Sequence, residues 1–300
     1  VHIPVLFDEV MAALHPHSGG RYLDCTLGGG GHTEGLLRGS EPDGQVLATD
    51  ADPAAIERLQ GKWPASRLTV RQAWLDEAGG IASTLGFTPL DGVLMDLGLS
   101  SFQLEAAERG FAFMREGPLD MRFDPTRGES AAQLIDRLDV EELTVLLRRY
   151  GDVQNARRVA EVIWSARPIT MTAQLRDVVA KVVKTRSSRI HPATQVFQAL
   201  RIAVNDEMGR LERALPELIG LLKPGGRMAV ITFHSLEDRI VKDAFRRESR
   251  DVVAQPGFGE QEERQARVRL VNKDPITPAE AEVAANPRAR SAKLRVVERI

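Results

Sequence analysis

The 300-residue sequence has a single cysteine, which excludes a disulfide framework within the chain and any zinc site built on paired cysteines. Cys25 therefore reads as a small buried hydrophobe. Histidine is also scarce. His2, His15, His17, His32, His191 and His234 are dispersed, and none of them forms the H-E-x-x-H spacing that sets two ligands on one helical face, so no structural metal is expected. There is no apolar run long enough to span a bilayer. Val1 to Val10 lacks the basic, apolar and small-residue order of a signal peptide, so a soluble cytoplasmic protein is expected. The initiator Met is missing too, which suggests that a processed end or a leader precedes Val1. Positive charge is not in excess. The formal net charge of −2 disfavours a nucleic-acid partner at first sight, but phosphate contact depends on local distribution rather than on the total.

What is present points to a globular α/β chain. With 43% hydrophobic and 27% charged residues there is enough apolar material for a full core and no signature of disorder. Gly20 to Leu27 reads as a short buried strand that runs into four glycines at 28 to 31, with a helical stretch from His32 to about Arg38. Gln45 to Asp50 is a second strand, and Asp52 with Pro53 supplies an N-cap and first-turn proline for the helix that follows. Leu68 to Arg71 fits a third strand. Asp91 to Asp96 is a fourth, and its unbroken apolar core suits a parallel sheet covered on both faces. Leu211 to Leu222 has helical periodicity, stops at Lys223-Pro-Gly-Gly226, and leads into another buried strand, Arg227 to Phe233.

This alternation predicts a doubly wound, mostly parallel sheet. Asp96 and Arg227 stand far beyond the dozen or so residues that a crossover needs, so something has been inserted. The intervening patterns are helical, at Ser130 to Leu138, Val140 to Tyr150, Asn155 to Ala166 and Thr172 to Val183. They predict a helical insertion over 106–205 within a domain formed by 1–105 and 206–300. Charge is uneven there. Val145 to Ile190 holds ten Lys or Arg against three acids, a local net of +7, and Asn286 to Ile300 adds Arg288, Arg290, Lys293, Arg295 and Arg299. Phosphate contacts and plain solvated helix faces both explain such runs.

In doubly wound sheets, ligands bind outside the carboxyl ends of the strands where strand order reverses. The motifs sit at those ends. Gly28, Gly30 and Gly31 let backbone approach a ligand, and Asp50, nineteen residues after Gly31, is placed for ribose hydroxyls. G-x-G-x-x-G is incomplete, because counting from Gly28 the last position is Thr33 and counting from Gly29 it is Glu34. Asp24, just before the glycines, would suit the ammonium and sulfonium of S-adenosylmethionine and would repel a pyrophosphate, which favours a methyl donor over a dinucleotide. Trp74, after the third strand, is placed either to stack on adenine or to fill the core.

Asp96-Leu-Gly-Leu-Ser-Ser-Phe-Gln103 offers a carboxylate, the Ser100 and Ser101 hydroxyls and an amide beside that donor. An exocyclic amino group has its lone pair delocalised into the base, so a site that methylates it must accept its hydrogens and hold it in line with the methyl. Asp96 is the leading acceptor, and loop capping is its structural alternative. His234 and Ser235, at the end of the resumed strand, are candidates to bracket the target base, with a cap at the helix start as the rival role for His234. Arg122, Arg201 and Asn205, with Asp120 and Asp124, are candidates for phosphate or base contact, and a salt-bridge network is their bland alternative.

The chain resembles the bacterial family that methylates the N4 amino group of a cytosine in the decoding region of 16S ribosomal RNA. The resemblance spans essentially all 300 residues. It rests on His2-Ile-Pro-Val-Leu6, Leu23 to His32, Asp96 to Ser101, Gly117-Pro-Leu-Asp-Met-Arg-Phe-Asp124, His191-Pro-Ala-Thr194, Phe197 to Asp206, Phe233-His-Ser-Leu-Glu-Asp-Arg239 and Asn286 to Arg295. It implies a class I, Rossmann-like methyltransferase with S-adenosylmethionine as donor, held by Gly30, Gly31, His32, Asp50, Trp74, Asp96 and Gln103. It also implies 16S rRNA as partner, free or in an assembled small subunit, with the helical insertion as one wall of the RNA cleft, no membrane, and an oligomeric state, monomer or homodimer, left open. Two departures stand out. Phe102 occupies a place where the family often has proline, and Ala73-Trp74 replaces its usual Asn-Phe. Extrusion of the base into the site is expected. The phosphate backbone would then be held by the basic tracts, Arg186, Arg189, Arg288, Arg290 and Lys293 among them. A methyltransferase of other substrates, a non-catalytic ribosome assembly factor and a nicotinamide-dependent oxidoreductase are the rival readings.

Overall fold

A computed structural model describes residues 4–182, 193–254 and 261–300. Its contacts divide the chain into two compact units, one formed by Val1–Gly98 with Met208–Ile300 and the other by Leu99–Glu207. The second unit starts at Leu99, ahead of the 106–205 span expected for an insertion.

The first unit is built on a seven-stranded sheet. In chain order its strands are β1 (Arg21–Asp24), β2 (Gln45–Asp50), β3 (Leu68–Gln72), β4 (Leu90–Asp96) and β5 (Leu222–Thr232). Further along, β6 (Val252–Ala254) and β7 (Gln261–Glu263) form a separate hairpin, and β8 (Val268–Leu270) and β9 (Lys293–Arg299) complete the large sheet. Its order is β3-β2-β1-β4-β5-β9-β8. The strands β1 to β5 pair in parallel, and β9 runs antiparallel to both β5 and β8. The sheet is thus doubly wound and mostly parallel, as the strand and helix alternation predicted. The tail beyond Arg250, which has no clear pattern in sequence, supplies its antiparallel edge.

Side chains alternate across this sheet as the pleat requires. Leu23, Leu47, Val93, Met95, Met228 and Val230 face one layer of helices, where Ala82, Leu211, Leu215, Leu218 and Val241 cover them. Tyr22, Val46, Ala48, Leu94, Ala229 and Ile231 face the other, under Val10, Leu14, Leu36, Leu37 and Leu59. Cys25 joins the first layer, and burial pushes its thiol well up, which matches the expected inert hydrophobe. The helix Phe7–Leu14 was not expected from the sequence, and the helix Ser235–Glu248 is the one whose start His234 was a candidate to cap.

Strand order reverses between β1 and β4, since the chain goes from β1 out to β2 and β3 and returns on the other side. The carboxyl ends of β2, β1 and β4 are Asp50, Asp24 and Asp96, so three carboxylates stand side by side at the switch point.

The second unit has its own apolar core, drawn from the helices Ala131–Arg137, Val140–Gly151, Ala156–Ser165, Thr172–Ala180 and Ala193–Asn205. Leu134, Leu143, Leu147, Val159, Ile163, Leu175, Val196 and Leu200 meet there. Two of these helices start with reciprocal caps, Ser130 with Gln133 and Asp139 with Glu142. Among the described residues no helix is long and apolar enough to cross a membrane.

Candidate active site

The glycine turn between β1 and the helix Gly31–Gly39 is shaped by steric demand. Gly28 and Gly30 hold φ of +48° and +81°, conformations that side chains disfavour. A Cβ on Gly30 would lie 2.4 Å from Leu59 Cδ1, and one on Gly31 would lie 2.3 Å from Pro4 Cγ. The turn is therefore clamped between the helix Pro53–Leu59 and the N-terminal segment. Asp50 fixes it from the side: its Oδ2 accepts the Gly28 N–H at 2.8 Å and its Oδ1 accepts the Asp52 N–H at 2.9 Å. Burial lifts the Asp50 carboxyl to about 6, against the pull of those two N–H groups, and the neighbouring Asp52 and Asp24 charges add to the rise. A carboxylate held this way is poised to accept from a ligand hydroxyl.

Asp24 was expected to meet the donor's positive end directly, and the structure corrects this. It is 1% exposed. Oδ1 accepts the Thr26 N–H at 3.0 Å and Oδ2 accepts the Thr33 hydroxyl at 2.7 Å, so both oxygens already brace the glycine turn. Burial raises its pKa, and the hydrogen bonds from Thr33 and Thr26 oppose that rise. Thr26 does not stand out in the sequence. Its hydroxyl oxygen accepts the Asp96 N–H at 2.6 Å, tying the end of β4 to the turn after β1.

The Asp96 side chain is 22% exposed. Its Oδ1 is buried without a hydrogen-bond partner, so the open part of the carboxylate is Oδ2. His32 Nε2 lies 3.5 Å from that oxygen. His32 itself is 6% exposed, and neither ring nitrogen has a hydrogen-bond partner. Phe7 stacks on its ring with centroids 6.0 Å apart and 18° between planes. Phe7 also fills the space over Gly35, where a Cβ would lie 2.6 Å from its ring. The helix Phe7–Leu14 thus positions a site residue, and only its apolar face signals it in the sequence.

A switch-point crevice closed by a glycine turn and three strand-end carboxylates is the geometry of a nucleoside site, and comparison with known proteins names the family. The model of the MraW methylase family matches residues 1–300. The chain belongs to the MraW methylase family. It is 48% identical over 310 residues to "Ribosomal RNA small subunit methyltransferase H" of Thermomicrobium roseum, covering 100% of this chain and 94% of that one. The protein of the same name from Citrifermentans bemidjiense is 49% identical over 318 residues, with 100% and 98% covered. Among solved structures, a putative rRNA-methylase from Clostridium thermocellum aligns over 100% of both chains at 14% identity with a TM-score of 0.47. SMU.1697c, a putative methyltransferase from Streptococcus mutans in complex with SAH, aligns over 99% of both at 11% identity with a TM-score of 0.42. Likeness of that degree assigns no residue and no ligand.

In this methylase, Trp74 is 7% exposed, and the Arg210 guanidinium lies 4.1 Å from its ring centroid. Arg210 is in turn held by Asp76 at 2.5 Å, which also pairs with Arg213. One face of the indole is therefore stacked on a cation. Both structural roles that the sequence left open for Trp74, core aromatic and ring platform, draw on the same side chain.

Several expected contacts are reassigned. Ser100, Ser101 and Gln103 belong to the second unit. The Ser100 hydroxyl accepts the Gln103 N–H at 3.2 Å and Gln103 Oε1 accepts the Ser100 N–H at 3.0 Å, a reciprocal cap on the short helix Ser101–Glu105. His234 takes the capping role that rivalled base contact: its Nδ1 accepts the Glu237 N–H at 3.4 Å, and Glu237 Oε2 accepts the Phe233 and His234 N–H groups. Ser235 is exposed as the first residue of that helix.

Asn205 is 2% exposed and cannot reach RNA. Its Nδ2 donates to the Met121 and Arg201 carbonyls and its Oδ1 accepts the Phe123 N–H at 2.7 Å, pinning the loop ahead of Asp124 to the last helix of its unit. Arg122 grips Asp120 and Arg201 grips Glu207, each through two guanidinium nitrogens, so these are salt bridges within the second unit. Asp124 accepts from Thr126. Lys293 pairs with Asp238 at 3.3 Å, beside the tighter Arg295–Asp238 bridge. Arg288 and Arg290 stand exposed on the 3-10 turn Pro287–Ser291. Arg186 and Arg189 lie outside the described residues.

Proposed function

We propose that the chain transfers a methyl group from S-adenosylmethionine to the exocyclic N4 amino group of a cytosine in the decoding region of 16S rRNA, with the assembled small subunit in the cytoplasm as substrate. The observation that carries this reading is the half-open Asp96 carboxylate at the switch point, next to a turn built for a nucleoside. The residues fit such a donor. Asp50 offers acceptor capacity for ribose hydroxyls, Gly28 to Gly31 allow close backbone approach, and the paired charges of Asp24 and Asp96 favour a cation. The relatives named for ribosomal RNA small subunit methylation support rRNA as the acceptor class.

When bound, the donor supplies an electrophilic methyl carbon. Asp96 Oδ2 accepts an N–H of the amino group, which draws the nitrogen lone pair out of conjugation and fixes its direction. Water is kept from the reacting atoms by the burial of His32 and Asp24. Exposed Arg288 and Arg290 add phosphate contacts.

The test is to incubate the protein with methyl-labelled S-adenosylmethionine and small subunits lacking this modification, then to identify the labelled nucleoside by mass spectrometry. N4-methylcytidine that disappears with folded Asp96→Ala is the expected result. Measurable donor binding with label on no nucleoside would sink the rRNA assignment.

A further inference from the structure

Each of the two oxygens of Asp96 has a distinct surrounding. Oδ1 is buried without a partner, and Oδ2, the open one, faces His32 Nε2 at 3.5 Å. Besides Asp96, the Val5 backbone acts on His32 by hydrogen bonding and Asp24 by charge, although neither ring nitrogen makes a well-formed hydrogen bond. Stacking on Phe7 accounts for the ring's place but not for its nitrogens.

We propose that His32 is the proton partner of Asp96: protonated, it keeps the carboxylate ionised before the donor arrives, and, neutral, it receives through Asp96 the proton that the methylated amine must lose. This rests on the methyl transfer proposed above. As the amino nitrogen forms its bond to the methyl carbon, the sulfur–carbon bond breaks and its electron pair stays on sulfur. The nitrogen then carries the positive charge. Its N–H bond breaks, the pair returns to nitrogen, and the proton passes to Asp96 Oδ2 and on to His32 Nε2. The 3.5 Å gap must close by about half an ångström to reach a charge-assisted hydrogen bond.

The charges facing His32 set when it is protonated. Burial disfavours the imidazolium, but the Asp96 and Asp24 carboxylates, with the Val5 backbone, outweigh it and raise the pKa. A sulfonium bound at Asp96, within reach of the Asp24 charge, is a like charge beside His32, and like charge expels a proton. Donor binding and loss of the His32 proton are therefore linked. The departing product carries no sulfonium charge, so the proton gained in turnover is tolerated once transfer is complete. His32 does not touch the base and is a positioning residue acting through Asp96.

Three measurements test this, two of which need no RNA. NMR titration of His32 in the ligand-free protein should give a pKa above the ordinary 6.5, falling below it when S-adenosylmethionine is added. Calorimetry of S-adenosylmethionine binding near pH 6.5, in buffers of different ionisation enthalpy, should show proton release that is lost in His32→Gln and His32→Phe. The single-turnover methylation rate should fall roughly 10- to 100-fold in both variants and lose the limb of the pH profile that belongs to His32. The Phe variant keeps the stack on Phe7, so a purely structural histidine would leave its rate and pH profile intact, and that outcome overturns the proposal. An unchanged His32 pKa on donor binding overturns it as well. If the native protein binds the donor and releases a proton but methylates no subunit, the proposed function fails while the linkage stands.

Discussion

Asp50 holds the glycine turn with both oxygens while sitting in a pocket that resists its charge. Its carboxyl is raised from 3.8 to about 6, so between those values the folded chain keeps a proton that the unfolded chain has lost. Stability owed to this residue is present below the lower value and declines as pH rises through the higher one. In Asp50→Asn that decline is absent. The difference in Tm, variant minus native, should move upward between pH 4 and pH 7, and donor affinity should drop at least about tenfold with the lost acceptor. A pH-independent Tm difference would contradict the raised pKa. Thr26 works on the same scale. Thr26→Val keeps the shape but removes the acceptor for the Asp96 N–H, which should cost about 1–2 kcal/mol in urea unfolding. If the hydroxyl also orients Asp96, kcat will fall more than donor affinity does, and equal losses would limit it to holding the turn.

At the scale of elements, one chemical pattern recurs with two readings. Ser100 with Gln103, Ser130 with Gln133, Asp139 with Glu142 and His234 with Glu237 are all reciprocal helix caps. The sequence separation of three is the signature of a capping box, yet at Ser100 and His234 the strand-end position suggested chemistry instead. The basic stretch before Ile190 resolves in a similar way. Arg157 pairs with Glu141 and Glu161, Arg176 pairs with Asp177, and Arg167 donates to the carbonyls of Asp136 and Leu138 at the end of a helix. These three of its ten basic residues have partners within the second unit. Asn205→Ala should destabilise it by about 2–4 kcal/mol, because the Phe123 N–H and the Met121 carbonyl lose their partner in a buried place. Chemical denaturation followed by Trp164 fluorescence in a Trp63→Phe, Trp74→Phe background would read this unit, and a change under about 0.5 kcal/mol would disprove the clamp. In the glycine turn, Gly30→Ala faces both a φ of +81° and Leu59. Expected results are a lower Tm and a donor affinity reduced tenfold or more, with Leu59→Ala relieving the clash but not the backbone strain, which is about 1–2 kcal/mol.

For the whole molecule, a net charge of −2 has to coexist with a polyanionic partner. Contact with RNA then depends on local patches, and we propose the exposed Arg288 and Arg290 as one of them. Double reversal to Glu should lower the salt slope of subunit binding by roughly 0.7 for each phosphate no longer neutralised, while donor binding stays unchanged. A slope identical to that of the native protein would remove both residues from the interface. The sheet was legible at this scale because parallel strands are buried on both faces and read as apolar runs at fixed intervals, as in Gln45 to Asp50 and Leu90 to Asp96. The edge β8–β9 was not, because three-residue β8 carries no period and takes its place only by pairing with β9.

By itself the sequence determined the strand and helix alternation, the glycine turn, the spacing of Asp24, Asp50 and Asp96, and the presence of a long insertion, because each is a local pattern of size, polarity and backbone freedom. Only the tertiary structure decided which polar side chains are already spent. Asn205, Arg122, Arg201 and His234 are identical in type to site residues, and their partners are Met121, Asp120, Glu207 and Glu237. The tertiary structure alone also set His32 beside Asp96 under Phe7, since an ion pair or a stack depends on distances that a separation of sixty-four positions in sequence does not encode.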